Sequence, residues 1–211
     1  MKKILLIGDS IRLGYDKYVK MAFEGRAEVY YPAENCRFSA YVLRRLMDWK
    51  TNLGCGDDVD LVHWNAGLWD DLIMLDGEHL VPIEVYKVYI DRICRMIHIL
   101  FPNAKMIFAT STPVQEELFD ACKRYNRDTE KYNQAATEIV TSYGGKINDL
   151  YASAKSAPVE YHSDLTHYYT KEGTRLLADQ VIHILEQELG IEAKALDYDA
   201  LFAETADFIG M

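Results

Sequence analysis

The chain has 211 residues, of which 49% are hydrophobic and 27% are charged, and its formal net charge is -10. These proportions exclude a disordered chain, and the length suits one α/β domain with a sizeable core. The negative balance argues against a nucleic acid or an anionic membrane as partner, because no basic stripe offsets the repulsion. No apolar stretch is long enough to span a bilayer.

Short apolar runs alternate with segments of helical spacing along the chain. Strands are predicted at 3–7, 27–31, 59–64, 104–110 and 146–150, and helices after Ser10, after a cap at Ser39, and at 86–100, 129–142 and 176–189. This alternation implies βαβ units and a mostly parallel five-stranded sheet. We expect one domain over 1–190, followed by an acidic extension at 191–211 that packs on the domain or on a second subunit.

The four cysteines are scattered, with no C-x-x-C pair. Such spacing favours neither a disulfide framework nor a structural zinc site, so we expect reduced thiols and a cytoplasmic protein. The chain also lacks the glycine-rich motifs that bind nucleotides. No metal or other cofactor is therefore expected. The sequence leaves open whether the protein forms a homo-oligomer.

The first reactive group follows the first strand, in Gly8-Asp9-Ser10. A serine at this turn would direct its hydroxyl beyond the carboxyl ends of the strands, where parallel sheets bind their ligands. The N–H groups at the start of the next helix could stabilise an oxyanion. The alternative is that Ser10 only caps this helix.

Two further segments place reactive groups at the same edge of the sheet. Asn65-Ala66-Gly67 follows the third strand, and its amide can donate to an oxyanion, although an ordinary turn is the alternative. Asp164-Leu165-Thr166-His167 precedes the last long helix, and its spacing lets the carboxylate orient the imidazole as a base for serine. An aspartate cap beside a surface histidine is the alternative there. All three segments are much less expected to meet at one edge of the sheet by chance than any one of them is to lie there, so together they favour a catalytic site.

These residues resemble those of the SGNH hydrolases, also called GDSL hydrolases. Gly8-Asp9-Ser10-Ile11 is close to the family's G-D-S-L, and Asp164-x-x-His167 matches its last block. The polar turn that follows ends at Gly173 and is one residue longer than usual. The resemblance spans nearly the whole chain and implies a flavodoxin-like three-layer α/β/α sandwich with the activity of a cofactor-independent esterase or acylhydrolase.

The two middle blocks depart from the family pattern. The second block normally has a glycine whose N–H lines the oxyanion hole, and here Cys36 is expected to supply that N–H. The third block is normally G-x-N-D, but Trp69 stands at the position of the asparagine, so Asn65 is expected to donate instead. The resemblance therefore implies an oxyanion hole of Ser10, Cys36 and Asn65. We also expect substrate contacts from Asp9, Arg37, Gly67 and Trp69, which lie in or beside these blocks.

The resulting hypothesis is two-step ester hydrolysis, in which His167 removes the proton of Ser10 and Asp164 orients the imidazole. The substrate is expected to be a small-molecule or carbohydrate ester with a short acyl group such as acetyl, because the sequence shows no apolar lid. An acyltransferase with the same triad and a binding protein without turnover are the alternatives. Activity should fall as His167 becomes protonated, around or somewhat below neutral pH.

Overall fold

The computed structural model describes residues 1–206. The strands are β1 (Lys2–Ile7), β2 (Ala27–Tyr30), β3 (Leu61–Trp64), β4 (Lys105–Ala109) and β5 (Lys146–Asn148). The helices are α1 (Ser10–Ala22), α2 (Ser39–Leu53), α3 (Ile83–Leu100), α4 (Asn126–Ser142), α5 (Leu150–Lys155), α6 (Lys171–Leu189) and α7 (Tyr198–Ala206), with 3-10 turns at Glu116–Leu118 and Val159–Tyr161.

The five strands form one sheet in the order β2-β1-β3-β4-β5, and every neighbouring pair is parallel. Because both faces of the sheet are covered, β1 is apolar almost throughout: Ile4 and Leu6 face the layer of α1 and α6, whereas Leu5 and Ile7 face the layer of α2, α3 and α4. The predicted three-layer α/β/α sandwich with a five-stranded sheet is confirmed.

Several predicted element boundaries are wrong by a few residues. The strand predicted at 146–150 ends at Asn148, because the Asp149 carboxylate accepts the Ala152 N–H and caps α5, a helix that the sequence did not predict. Helix α4 begins at Asn126 rather than at 129. Ser39 is the first residue of α2 and not its cap.

Residues 191–206 pack against α1 and α6. The Lys194 N–H donates to the Ala22 carbonyl oxygen at 2.7 Å. The rings of Tyr18 and Phe202 stack with their centroids 5.8 Å apart. The rest of the predicted extension, 207–211, lies outside the described residues, and a contact with a second subunit stays a prediction.

The four cysteines are all free thiols. Within residues 1–206, no three His, Cys, Asp or Glu side chains are placed to hold a metal ion. None of the helices described is both long enough and apolar enough to cross a membrane.

Candidate active site

Ser10 lies directly beyond the carboxyl end of β1 and begins α1. The helix is capped by Asp9, whose Oδ1 accepts the Ile11 N–H at 3.0 Å, so the alternative role of Ser10 as a cap is not needed. Ser10 is half-buried, whereas Asp9 has no solvent exposure. The Oδ2 atom of Asp9 is buried without a hydrogen-bond partner among the described residues, and the substrate contact of Asp9 stays a prediction.

Asp164 and His167 form the predicted pair at the segment before α6. The Asp164 Oδ2 lies 2.8 Å from the His167 Nδ1, and Oδ1 accepts the N–H groups of Thr166 and His167 at 2.7 and 2.8 Å. Burial raises the pKa of Asp164, but these N–H groups and the ring of His167 bring it below its ordinary value. Asp164 is therefore held as a carboxylate that orients the imidazole.

The Nε2 atom of His167 is the nitrogen left for proton transfer. It is buried and has no hydrogen-bond partner among the described residues. The His167 side chain as a whole is 24% exposed, and that of Asp164 is 47% exposed. The pair therefore lies at the surface of the molecule, although the Nε2 atom itself is covered.

Tyr169 joins the histidine segment to the serine helix. Its hydroxyl donates to the Ser10 carbonyl oxygen, and its ring stacks on the His167 ring with the centroids 4.7 Å apart and the planes 23° apart. Gly14 makes room for this ring, because a Cβ atom there would lie 2.8 Å from the Tyr169 Cδ1. Sequence reasoning missed this contact, for which the only signal is the position of Tyr169 beside the histidine block.

Asn65 lies next to the turn that carries Ser10. Its N–H donates to the Ile7 carbonyl oxygen at 3.0 Å, which continues the pairing of β1 and β3. A Cβ atom at Gly8 would lie 1.9 Å from the Asn65 Oδ1, so glycine is required for this approach. Burial raises the pKa of Asp9, and the Asn65 side chain opposes that shift. The structure thus places the Asn65 amide against Gly8 and Asp9.

Cys36 does not fit its predicted part in an oxyanion hole. Its N–H donates to the Gly8 carbonyl oxygen at 3.0 Å, so this donor is already occupied. Burial raises the pKa of its thiol to about 11, which keeps the sulfur protonated. The left-handed backbone conformation that favours glycine belongs instead to Arg37, with φ of 54°. The Arg37 guanidinium lies 4.9 Å from the centre of the Tyr41 ring, and its substrate contact stays a prediction.

The segment after Asn65 is held by contacts to other loops. Gly67 has φ of 152°, and a Cβ atom there would lie 2.8 Å from the Ser111 Oγ. Asp70 is buried and accepts the Ser39 N–H at 3.1 Å, which anchors the start of α2. Trp69 is half-buried on this segment, and its substrate contact stays a prediction.

Comparison with known proteins places the chain in a structural class. No protein-family profile matches it, and no curated protein sequence matches it either. The lipase/acylhydrolase from Enterococcus faecalis matches with a TM-score of 0.68 and 20% identity, over 93% of this chain and 100% of that one. A GDSL-like lipase from Bacteroides thetaiotaomicron matches with a TM-score of 0.68 and 16% identity, over 88% of both chains. The chain has the SGNH hydrolase fold.

An acetyl xylan esterase, AlAXEase, has the same SGNH fold, with a TM-score of 0.69 and 14% identity over 87% of this chain and 99% of that one. These identities are low, so the likeness establishes the fold, and the chemistry must be argued from the residues of this chain.

Arg12 holds the serine helix of this SGNH fold to the segment after β2. It is fully buried, pairs with Asp16 and donates to the Pro32 carbonyl oxygen at 2.8 Å and the Glu34 carbonyl oxygen at 2.5 Å. The guanidinium also donates to the Gly8 carbonyl oxygen at 3.4 Å, so it fixes this segment, which includes Cys36, against the turn at Gly8.

Proposed function

We propose that the protein is a serine esterase that hydrolyses short-chain acyl esters, including O-acetyl groups on carbohydrate. The observation that carries the proposal is the Asp164–His167 pair, which Tyr169 joins to the backbone of Ser10. An oriented imidazole beside a serine at a helix start is the arrangement that activates a hydroxyl for acyl transfer.

In the first step, His167 Nε2 takes the proton of the Ser10 hydroxyl while Oγ attacks the ester carbonyl carbon. The resulting imidazolium is stabilised by the Asp164 carboxylate, and it then donates its proton to the departing alcohol. In the second step, a water molecule loses a proton to His167 and attacks the acyl-enzyme. The carboxylic acid leaves, and the proton returns to Ser10.

The tetrahedral intermediate of both steps needs donors for its oxyanion. The N–H of Ser10 belongs to the first turn of α1, whose N–H groups have no partner within the helix. The Asn65 amide lies against Gly8 and Asp9 and is the side-chain donor that we assign to this role. Because the Cys36 N–H is occupied, we assign it no part in the hole.

A small, polar substrate is supported by two observations. The Asp164 and His167 side chains are partly exposed, so the site is an open edge rather than a deep apolar tunnel. One protein of the same fold is named an acetyl xylan esterase. Transfer of the acyl group to an added polyol instead of water is the alternative outcome, and product analysis separates the two.

Replacement of Ser10 tests the proposal. The wild-type protein should hydrolyse p-nitrophenyl acetate faster than esters of longer acyl chains, and Ser10→Ala should lower kcat by about a thousandfold or more. A fluorophosphonate should label the wild-type protein and not Ser10→Ala. Ser142→Ala is the matched control, because this exposed serine lies at the end of α4. Equal labelling of wild type and Ser10→Ala would exclude Ser10 as the nucleophile.

A further inference from the structure

Arg124, in the loop between β4 and α4, lies close to the proposed site. Its Nε donates to the Leu68 carbonyl oxygen at 2.5 Å, in the segment that follows Asn65. Its charge lowers the pKa of Asp9, the residue before Ser10, against the raising effect of burial. The Arg124 guanidinium therefore contacts the segment that follows Asn65 and acts electrostatically on the residue before Ser10.

The outer edge of this guanidinium is available to a ligand. Nε is bound to Leu68, the Phe119 ring centre lies 5.7 Å from the guanidinium carbon, and the side chain is only 12% exposed. Within residues 1–206, neither Nη1 nor Nη2 has a hydrogen-bond partner. Although both nitrogens are unpaired, neither is fully buried, so both reach solvent. Arg124 is thus a fixed side chain whose two Nη nitrogens are both free to donate hydrogen bonds.

The acidic group nearest to Arg124 does not cancel the positive charge of the guanidinium at neutral pH. The nearest is Asp71, whose Oδ1 lies 3.6 Å from Nε. Burial raises the pKa of Asp71 to about 8, although the Thr129 hydroxyl and Arg124 itself act in the opposite direction. Burial also raises the pKa of Asp9. An arginine stays protonated even where burial lowers its pKa, so positive charge remains.

We propose that the Nη edge of Arg124 forms an anion-binding subsite, at the segment that follows Asn65, that favours esters carrying a carboxylate. Two coplanar N–H donors match the two oxygens of a carboxylate, and a mostly buried guanidinium gains from a compensating negative charge. The effect on hydrolysis rests on the proposed esterase function. Either the acyl group or the alcohol can carry the carboxylate, and the experiment distinguishes these sources.

The experiment compares two matched pairs of esters. The acyl side is tested with p-nitrophenyl hydrogen glutarate against its methyl ester, and the alcohol side with para-acetoxybenzoate against its methyl ester. Wild type should prefer the anionic member of one pair, measured as the ratio of kcat/KM values. Arg124→Gln should lower that ratio by about tenfold or more, which is the loss expected for a hydrogen bond to a charged group.

Arg127→Gln is the control, because this arginine lies three residues away and its side chain is 74% exposed. It should leave the ratio unchanged. Arg124→Lys keeps the charge but loses the planar donors, so its ratio should fall between those of wild type and Arg124→Gln. An unchanged ratio in folded Arg124→Gln for both pairs, or no preference for either anionic ester in wild type, would overturn the subsite.

A binding measurement separates this proposal from the esterase proposal. Glutarate and para-hydroxybenzoate are titrated calorimetrically into Ser10→Ala, which cannot form an acyl-enzyme. One of the two anions should bind, and adding Arg124→Gln should weaken binding by about tenfold or more, whereas adding Arg127→Gln should not. Binding without any esterase activity would overturn the proposed function alone. Absence of binding by both anions, or equal binding in both double variants, would overturn the subsite alone.

Discussion

At the scale of single residues, two glycines of the Ser10 turn and helix let bulky neighbours come close. A Cβ atom would lie 1.9 Å from the Asn65 Oδ1 at Gly8, and 2.8 Å from the Tyr169 ring at Gly14. Real Cβ atoms do not approach other atoms so closely, so either substitution must displace its neighbour. Both neighbours belong to the proposed catalytic machinery.

Gly8→Ala should therefore act through Asn65. The added methyl group displaces the amide, so kcat should fall by about a hundredfold or more, as for loss of one oxyanion donor. Asn65→Ala should have a similar effect, and the double variant should be little worse than either single variant, because both remove the same interaction. Steady-state kinetics with p-nitrophenyl acetate measures this. Full activity of Gly8→Ala would show that the Asn65 amide plays no part.

Tyr169→Phe should lower kcat by about three- to tenfold, because it removes one hydrogen bond, to the Ser10 carbonyl oxygen, but keeps the ring on His167. Tyr169→Leu also removes the stacking, and the acidic limb of its pH–rate profile should shift. Tyr143→Phe is the control, since that hydroxyl donates to Asp91 on the opposite layer of the sandwich. Identical pH profiles in all three variants would mean that Tyr169 does not position the imidazole.

The pairing of Asp164 with His167 could be predicted from sequence because three-residue spacing keeps both side chains on one turn. The hydrogen bond that occupies the Cys36 N–H could not be predicted from sequence, because its acceptor is the carbonyl oxygen of Gly8, which is distant along the chain. The position of Tyr169 beside the histidine block was a signal in the sequence, but its contact could not be predicted, since its hydroxyl bonds to a backbone atom 159 positions away.

At the scale of elements, long-range partners decide where helices begin and how they are held. Ser39 looks like a cap from its neighbours alone, yet its N–H and hydroxyl both donate to Asp70, which lies 31 positions later. The start of α2 is thereby attached to the segment after β3. Local pattern predicted that a helix begins near Ser39, and only the fold shows what satisfies its first N–H.

The attachment of α1 to the segment after β2 depends on Arg12. Arg12→Leu should lower the free energy of unfolding by about 3 kcal/mol or more, because it leaves the mostly buried Asp16 without its ion-pair partner and removes the donor to the Pro32 carbonyl oxygen. Arg44→Leu breaks a pair whose arginine side chain is 74% exposed and should change stability by less than about 1 kcal/mol. Urea denaturation of both variants measures the difference. Equal stabilities would show that Arg12 contributes no more than a surface residue.

At the scale of the whole molecule, alternation of apolar runs with helical segments was enough to predict a parallel sheet between two helical layers. That pattern works because strands buried on both faces must be apolar along their length. The paths of the long loops after β3 and β4 could not be predicted. They depend on contacts such as the bridge between Ile73 and Lys123, which leave no periodic signal.

The contribution of Asp70 and Asp71 to stability should fall as the pH rises from about 4 to about 8, whereas His63, whose pKa burial lowers to about 3, acts in the opposite direction up to about pH 6.5. Burial raises the pKa of Asp70 to about 7 and that of Asp71 to about 8, so the folded protein keeps protons that the unfolded chain releases above its ordinary value of 3.8. For each carboxyl group that keeps its proton only in the folded state, the free energy of unfolding falls by about 1.4 kcal/mol for each pH unit between its unfolded and folded pKa values. Asp71→Asn has no proton to lose there and should show a shallower decline in urea denaturation across the window. A slope equal to that of wild type would contradict the raised pKa of Asp71.

The proposed nucleophile, Ser10, and the proposed base, His167, lie far apart in the sequence, and the fold joins their segments through Tyr169. During synthesis, Ser10 emerges from the ribosome long before α6, and the segment with Asp164, His167 and Tyr169 emerges only shortly before that helix. A nascent or truncated polypeptide that stops short of this segment carries Ser10 without the imidazole that we propose activates it. On the proposed mechanism, a nascent chain therefore gains reactivity toward esters only after this segment has been synthesised and the sheet has formed.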